Sequence, residues 1–146
     1  KGKRIIKSPK VYFLDTGFLC YLTGITSQDQ IFKGASQGQL FETLVLGEII
    51  RNFYNQGRIP KIFWWRTSYG EEVDFLIETK GMLVPVEVKL SAKYNRNLAK
   101  GLISFCGLFP EKIEKAYLVN LAEKKMIIDK KINSIPFGDF ICSKLS

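Results

Sequence analysis

This chain predicts an α/β (α+β) fold, a mixed sheet flanked by helices, and three features of the sequence carry that expectation. Apolar residues recur at helical spacing over residues 39–54, where Leu40, Phe41, Leu44, Val45, Ile49 and Phe53 form one stripe. Three strand-like runs follow, at 62–68, 72–78 and 82–90, separated by turn signals at Tyr69-Gly70-Glu71 and Lys80-Gly81. A second helical run at 95–108 then leads into a further strand at 116–120, which can join the sheet by a crossover. The expected order is therefore helix, three-strand meander, helix, strand.

The ends add smaller pieces. Residues 11–15 read as a short buried strand and 16–22 as a brief helix ending at Gly24. The polar stretch 27–38 reads as loop, 125–129 as another strand, and 137–145 as a closing helix. Gly57 lies just past the long helix, on which Glu42 borders the apolar stripe rather than facing solvent.

Composition narrows the function. At 146 residues and 46% hydrophobic content the chain supports one domain with a real core, expected over 8–146, and no apolar run approaches a membrane span. There is no histidine, which removes Ser-His and Cys-His nucleophilic machinery and imidazole bases together. Cys20, Cys106 and Cys142 are widely spaced and odd in number, and read as buried thiols in a reducing cytoplasm. Net charge is +8, with Lys1, Lys3, Arg4, Lys7 and Lys10 among the first ten residues, an excess that favours a polyanion. Residues 1–7 read as a basic linker from an upstream part, so the chain is expected to be the C-terminal piece of something longer. No phosphate-binding Gly-x-x-x-x-Gly-Lys-Ser/Thr loop occurs, so any ATP hydrolysis belongs to that upstream part.

The chemistry concentrates on one hairpin. With Lys80-Gly81 as a two-residue loop, Thr79 pairs with Met82, and the same register pairs Ile77 with Val84, Phe75 with Val86 and Val73 with Val88, three pairs that make one apolar face. Asp74 then falls opposite Glu87, and Glu72 opposite Lys89. Directly opposed carboxylates have Cβ atoms about 5 Å apart and destabilise the pair unless something positive sits between them. A divalent cation answers that need. A solvent-facing set of charges, with an ordinary Glu72–Lys89 pair, is the competing account.

Gly38-Gln-Leu-Phe-Glu42 on a helix, Asp74 on a later strand and Glu87-Val-Lys89 on the next resemble the PD-(D/E)XK nuclease superfamily. Four blocks in order sharpen the resemblance: Lys10 to Gly17, Gly38 to Glu42, Trp65 to Phe75, and Val84 to Ser91. Together they resemble the nuclease-like domain found C-terminal to AAA+ ATPase modules of bacteria and archaea. Val73 stands where the superfamily name has proline, a difference that touches no metal ligand. The resemblance implies a restriction-endonuclease-like core and Mg²⁺ or Mn²⁺ held by Asp74, Glu87 and the Val88 carbonyl. It further implies that Lys89 orients or activates the attacking water, that Glu42 assists through the metal shell, and that the substrate is duplex or branched DNA. Hard oxygen ligands suit Mg²⁺, and a lysine can stabilise charge developing on a phosphate.

Lys93, Arg96 and Lys100 fall at near-helical spacing and line either a phosphate track or a solvated helix face. Arg66 can contact phosphate or pair with Glu71 or Glu72. Trp64 and Trp65 are successive strand residues, so one points inward and the other is free to stack on a base or to pack. The expected function is a metal-dependent DNA phosphodiesterase. Its rivals are a nucleic-acid-binding module without turnover and a protein-interaction module coupling the ATPase to a partner; the oligomeric state is left open.

Overall fold

The computed structural model describes residues 9–93 and 95–143, and the basic segment expected at 1–7 lies outside them. In chain order the helices are α1 (Thr16–Leu22), α2 (Gln28–Lys33), α3 (Gln37–Asn55), α4 (Lys100–Leu108) and α5 (Phe137–Ile141). The strands are β1 (Lys61–Arg66), β2 (Glu72–Thr79), β3 (Met82–Val88), β4 (Ala116–Asn120), β5 (Met126–Ile127) and β6 (Ile132–Pro136). They form one six-stranded mixed sheet in the order β1-β2-β3-β4-β6-β5, antiparallel through β3, parallel from β3 to β4 to β6, and antiparallel at β5. The expected class holds: an α+β domain with helices on both faces of a mixed sheet. The expected order of helix, meander, helix and strand is α3, β1 to β3, α4 and β4.

The turn at Lys80-Gly81 fixes the centre of this sheet. Both residues take positive φ, 51° and 78°, the geometry in which a two-residue loop matches the twist of its strands. It follows that Thr79 pairs with Met82, Ile77 with Val84 and Phe75 with Val86, as the sequence predicts. Phe75, Ile77, Val86 and Val88 pack with Phe41, Val45, Ile49 and Phe53 of α3 and with Phe140 of α5. On the other face Leu76, Ala116, Leu118 and Ile132 pack with Leu102 and Phe105 of α4.

One expectation about faces fails, and the reason is local. β1 pairs Phe63 with Leu76 but Trp65 with Val73, so β2 carries one more residue than β1 over the same span. That extra residue is a β-bulge, which breaks the alternation and re-aims the side chains beyond it. Val73 consequently packs with Leu76 on the α4 side, not with Phe75 and Val88 on the α3 side. The paired register of β2 and β3 also stops at Phe75 and Val86, one step short of Asp74 and Glu87.

Other corrections concern the ends. Residues 11–15 form no strand: Val11, Phe13 and Leu14 are exposed, and Asp15 instead caps α1 by accepting from the Phe18 N–H at 2.9 Å. Within 27–38, read as loop, Ser27 and Gln30 form a reciprocal capping box that starts α2. The first turn of the helix expected at 95–108 is a 3-10 turn over Arg96–Ala99. β6 lies where no strand was expected, the strand expected at 125–129 is the two-residue β5, and α5 ends at Ile141. Cys20 and Cys106 are half-buried and Cys142 is exposed, not buried, and all three are free thiols.

α4 reaches the sheet through a glycine. A Cβ on Gly101 would lie 1.9 Å from the Glu72 carbonyl oxygen, inside any tolerable contact with backbone. Gly101→Ala is therefore expected to push α4 away from β2 and cost about 1–3 kcal/mol, the usual range for overpacking. Chemical denaturation checks it: an unchanged midpoint would mean that the helix is not held this close.

Candidate functional site

The bulge and the end of the hairpin ladder put four carboxylates and two lysines together. Where the β2–β3 pairing stops, Asp74 Oδ2 accepts the Val88 N–H at 2.8 Å, so the side chain takes a bond that a neighbouring strand's carbonyl would otherwise receive. Asp74 and Glu87 are buried, at 5% and 4% exposure. Lys89 Nζ lies 2.6 Å from Glu87 Oε1, whereas Glu87 Oε2 is buried with no hydrogen-bond partner. The Glu72–Lys89 pair of the competing account does not form: Lys89 takes Glu87, and Glu72 takes Lys10 and, at 3.8 Å, Arg66.

Lys10 and Tyr12 were not foreseen as part of the site. The Lys10 ammonium pairs with Glu72 and lies 3.6 Å from Glu42 Oε1 and 3.9 Å from Asp74 Oδ1. Tyr12 donates its hydroxyl to Glu42 and packs its ring on Phe75, with centroids 5.8 Å apart. The signal was present in Lys10-Val-Tyr12, whose alternation brings two polar-tipped side chains to one side of an extended segment.

Electrostatics follow from burial. Asp74 is pushed up to about 6, first by desolvation and then by the Glu42 charge, against the Val88 hydrogen bond and the two lysines. Glu87 is pushed up to about 8, again first by desolvation and then by Asp74. Burial works against the Lys89 charge, but Glu87, Asp74 and Glu42 outweigh it and hold its pKa above the usual lysine value. Lys10 is held up in the same way by Glu72, Glu42 and Asp74 despite its burial.

These residues fit a hard divalent cation. A buried carboxylate oxygen with no partner, beside a second buried acid, is a donor set that lacks its acceptor. Among the described residues no three His, Cys, Asp or Glu side chains stand as a ready metal cage. Mg²⁺ does not require one, since it is usually held by one or two carboxylates plus waters and substrate phosphates. Val88, the third expected ligand, is 7% exposed and lies between Glu87 and Lys89.

The remaining candidates lie further out. Arg66 is exposed at the end of β1, and Lys93, Arg96 and Lys100 are exposed around the start of α4. The tryptophans divide as expected: Trp65 packs edge-on against Phe105 with centroids 5.2 Å apart, while Trp64 lines a cavity of about 310 Å³ with Asp74, Lys10, Tyr12 and Tyr54.

An α+β domain with a cluster of acids and lysines at the splayed end of a central hairpin is the class that fold and site define. The chain belongs to the family described as "Domain of unknown function (DUF4143)", which it matches over residues 37–140. It is similar to two proteins called uncharacterized, one of Mycobacterium bovis and one of Mycobacterium tuberculosis, each 28% identical over 104 residues. That stretch is 70% of this chain and 23% of each relative, so the chain spans about a quarter of their length. No solved structure matches it. Among the described residues no helix is long and apolar enough to cross a membrane.

Proposed function

We propose that this domain is a metal-dependent DNA phosphodiesterase of the PD-(D/E)XK nuclease superfamily, the C-terminal module of a longer, cytoplasmic AAA+ ATPase chain. The observation that carries the reading is the buried, unpartnered Oε2 of Glu87 beside the buried Asp74, with the Lys89 ammonium on the other Glu87 oxygen. Two buried acids that repel each other are retained at a cost in stability, which a bound cation removes.

Asp74 and Glu87, with the Val88 carbonyl, would hold Mg²⁺ or Mn²⁺. Bound there, the ion supplies Lewis acidity and a water of lowered pKa. The Val88 N–H fixes the Asp74 carboxylate, so one oxygen is committed to the backbone and the other faces the cluster. Lys89, with its side chain 38% exposed, is anchored by Glu87 at one end of its reach and open to a phosphate at the other, where it stabilises developing negative charge. Glu42, oriented by the Tyr12 hydroxyl, would assist through the shell of the bound ion.

The test is cleavage of supercoiled, linear and branched DNA with Mg²⁺ or Mn²⁺, expected with either ion and lost in chelator. No cleavage of any of them, by this chain or by the longer protein, sinks the catalytic claim. DNA binding should be weak and steep in salt, because the excess of +8 is spread over the chain. Going from about 50 to 200 mM salt is expected to lower affinity by one or more orders of magnitude, read by fluorescence anisotropy. Binding indifferent to salt would instead favour a protein-interaction module. That second reading has its own observation: α1 buries no residue and exposes Phe18, Tyr21 and Leu22 beside Phe13 and Leu14.

A further inference from the structure

We propose that Lys10 is a built-in counter-ion of this site, holding the Glu42, Glu72 and Asp74 carboxylates so that the site takes one divalent ion beside Glu87 and no second one. The inference rests on the metal-site reading above and deepens it by setting the number of ions and the residue that sets it.

The geometry of Lys10 is unlike that of a surface lysine. Its ammonium is met by Glu72, by Glu42 at 3.6 Å and by Asp74 at 3.9 Å, and the Trp64 ring centroid lies 5.5 Å from it. An exposed ion pair contributes little and needs one partner, whereas three carboxylates and an aromatic face around one ammonium form a cage. The segment is fastened for the purpose by Tyr12, packed on Phe75 and bonded to Glu42, while its neighbours Val11 and Phe13 stay exposed.

Charge balance gives the ion count. With all four carboxylates ionised, as a bound cation would keep them, Glu42, Glu72, Asp74 and Glu87 bring four negative charges; Lys10 and Lys89, placed among them, bring two positive. Arg66, its side chain 59% exposed and 3.8 Å from the second Glu72 oxygen, is screened by solvent and counts for little. The residual charge is that of one divalent cation. Without Lys10 three carboxylates would stand uncompensated, the situation in which like charges either repel or recruit a further ion. Lys10 and Tyr12 also precede the region matched by the family, so this part of the site comes from the flanking segment and not from the matched domain.

The experiment is Mn²⁺ titration of the 146-residue chain by calorimetry, with thermal melts of wild type, Lys10→Met, Lys10→Gln and Lys10→Arg at equal ionic strength. The expected results are one Mn²⁺ per wild-type chain, lower metal-free melting temperatures for Lys10→Met and Lys10→Gln, and a larger Mn²⁺-induced rise in both than in wild type. Lys10→Arg should follow wild type. Two ions in the wild type, or equal melts and equal Mn²⁺ shifts in all four proteins, overturn the counter-ion role alone. A lower melt that Mn²⁺ does not restore also overturns it, since Lys10 would then be packing and no more. If Mn²⁺ binds none of the four, the metal-site reading falls and the ion count with it.

Discussion

Glu87→Gln abolishes metal-dependent DNA cleavage while the fold and most DNA binding persist: this is the expected result with the largest effect, a rate loss of roughly 10²-fold or more. The substitution keeps the shape of a side chain that is only 4% exposed and removes the charge that would hold the cation. Lys89→Ala should give a loss of similar size by a different route, since it leaves both carboxylates and removes the ammonium beside them. The two are separable in one assay. Mn²⁺ binding is expected to weaken in Glu87→Gln and to survive in Lys89→Ala, with cleavage lost in both. A Glu87→Gln protein that still cuts DNA at the wild-type rate would remove Glu87 from the chemistry.

The second large effect is on stability against pH. Asp74 and Glu87 titrate in the folded chain at about 6 and about 8, above their ordinary values, chiefly because burial disfavours their charge. Between the unfolded carboxyl range and those values the folded state binds more protons than the unfolded state, so stability falls as pH rises. The contribution is fully present below about pH 4, near the unfolded carboxyl values, and is lost by about pH 8. The metal-free chain should therefore lose roughly 1–3 kcal/mol from pH 5 to pH 8, the scale of leaving a buried polar group unsatisfied. Mg²⁺ should flatten the decline by compensating the ionised pair, and Glu87→Gln should flatten it without metal. Denaturation midpoints across that range, with and without Mg²⁺, decide the matter; a midpoint that climbs with pH would mean the acids are not strained.

Much of this was legible because the strongest local signals agree with the final structure. The α3 stripe and the Lys80-Gly81 turn each specify one geometry, and both were read correctly. The bulge was not legible: both faces of β2 are buried, so Val73, Phe75 and Ile77 look alike whichever helix they meet. β6 was missed because it is a central strand with polar interior residues. Its Ser134 is fully buried and accepts from the Asn120 side chain of β4 at 2.6 Å, so a polar pair satisfies itself where the pattern calls for apolar residues. Residues 11–15 failed in the opposite sense, an apolar run with no strand beside it to pair with. The hairpin acids were found from register and resemblance; Lys10 and Tyr12 were hidden because they lie far from the hairpin in sequence and meet it only in the folded chain.

The two-residue turn that joins β2 to β3 has a consequence for the order of events in folding. That hairpin is the most local part of the sheet, whereas the β3–β4 and β4–β6 ladders wait on crossovers and larger loop closures. Hairpins form in microseconds, so Asp74 and Glu87 come together while water still surrounds them and their repulsion is weak. The penalty arrives only when α3 and α4 close over the two faces and exclude that water. Their mutual repulsion is therefore expected to act on the late, unfolding side of the barrier, so that Glu87→Gln should slow unfolding in stopped-flow denaturation more than it speeds refolding.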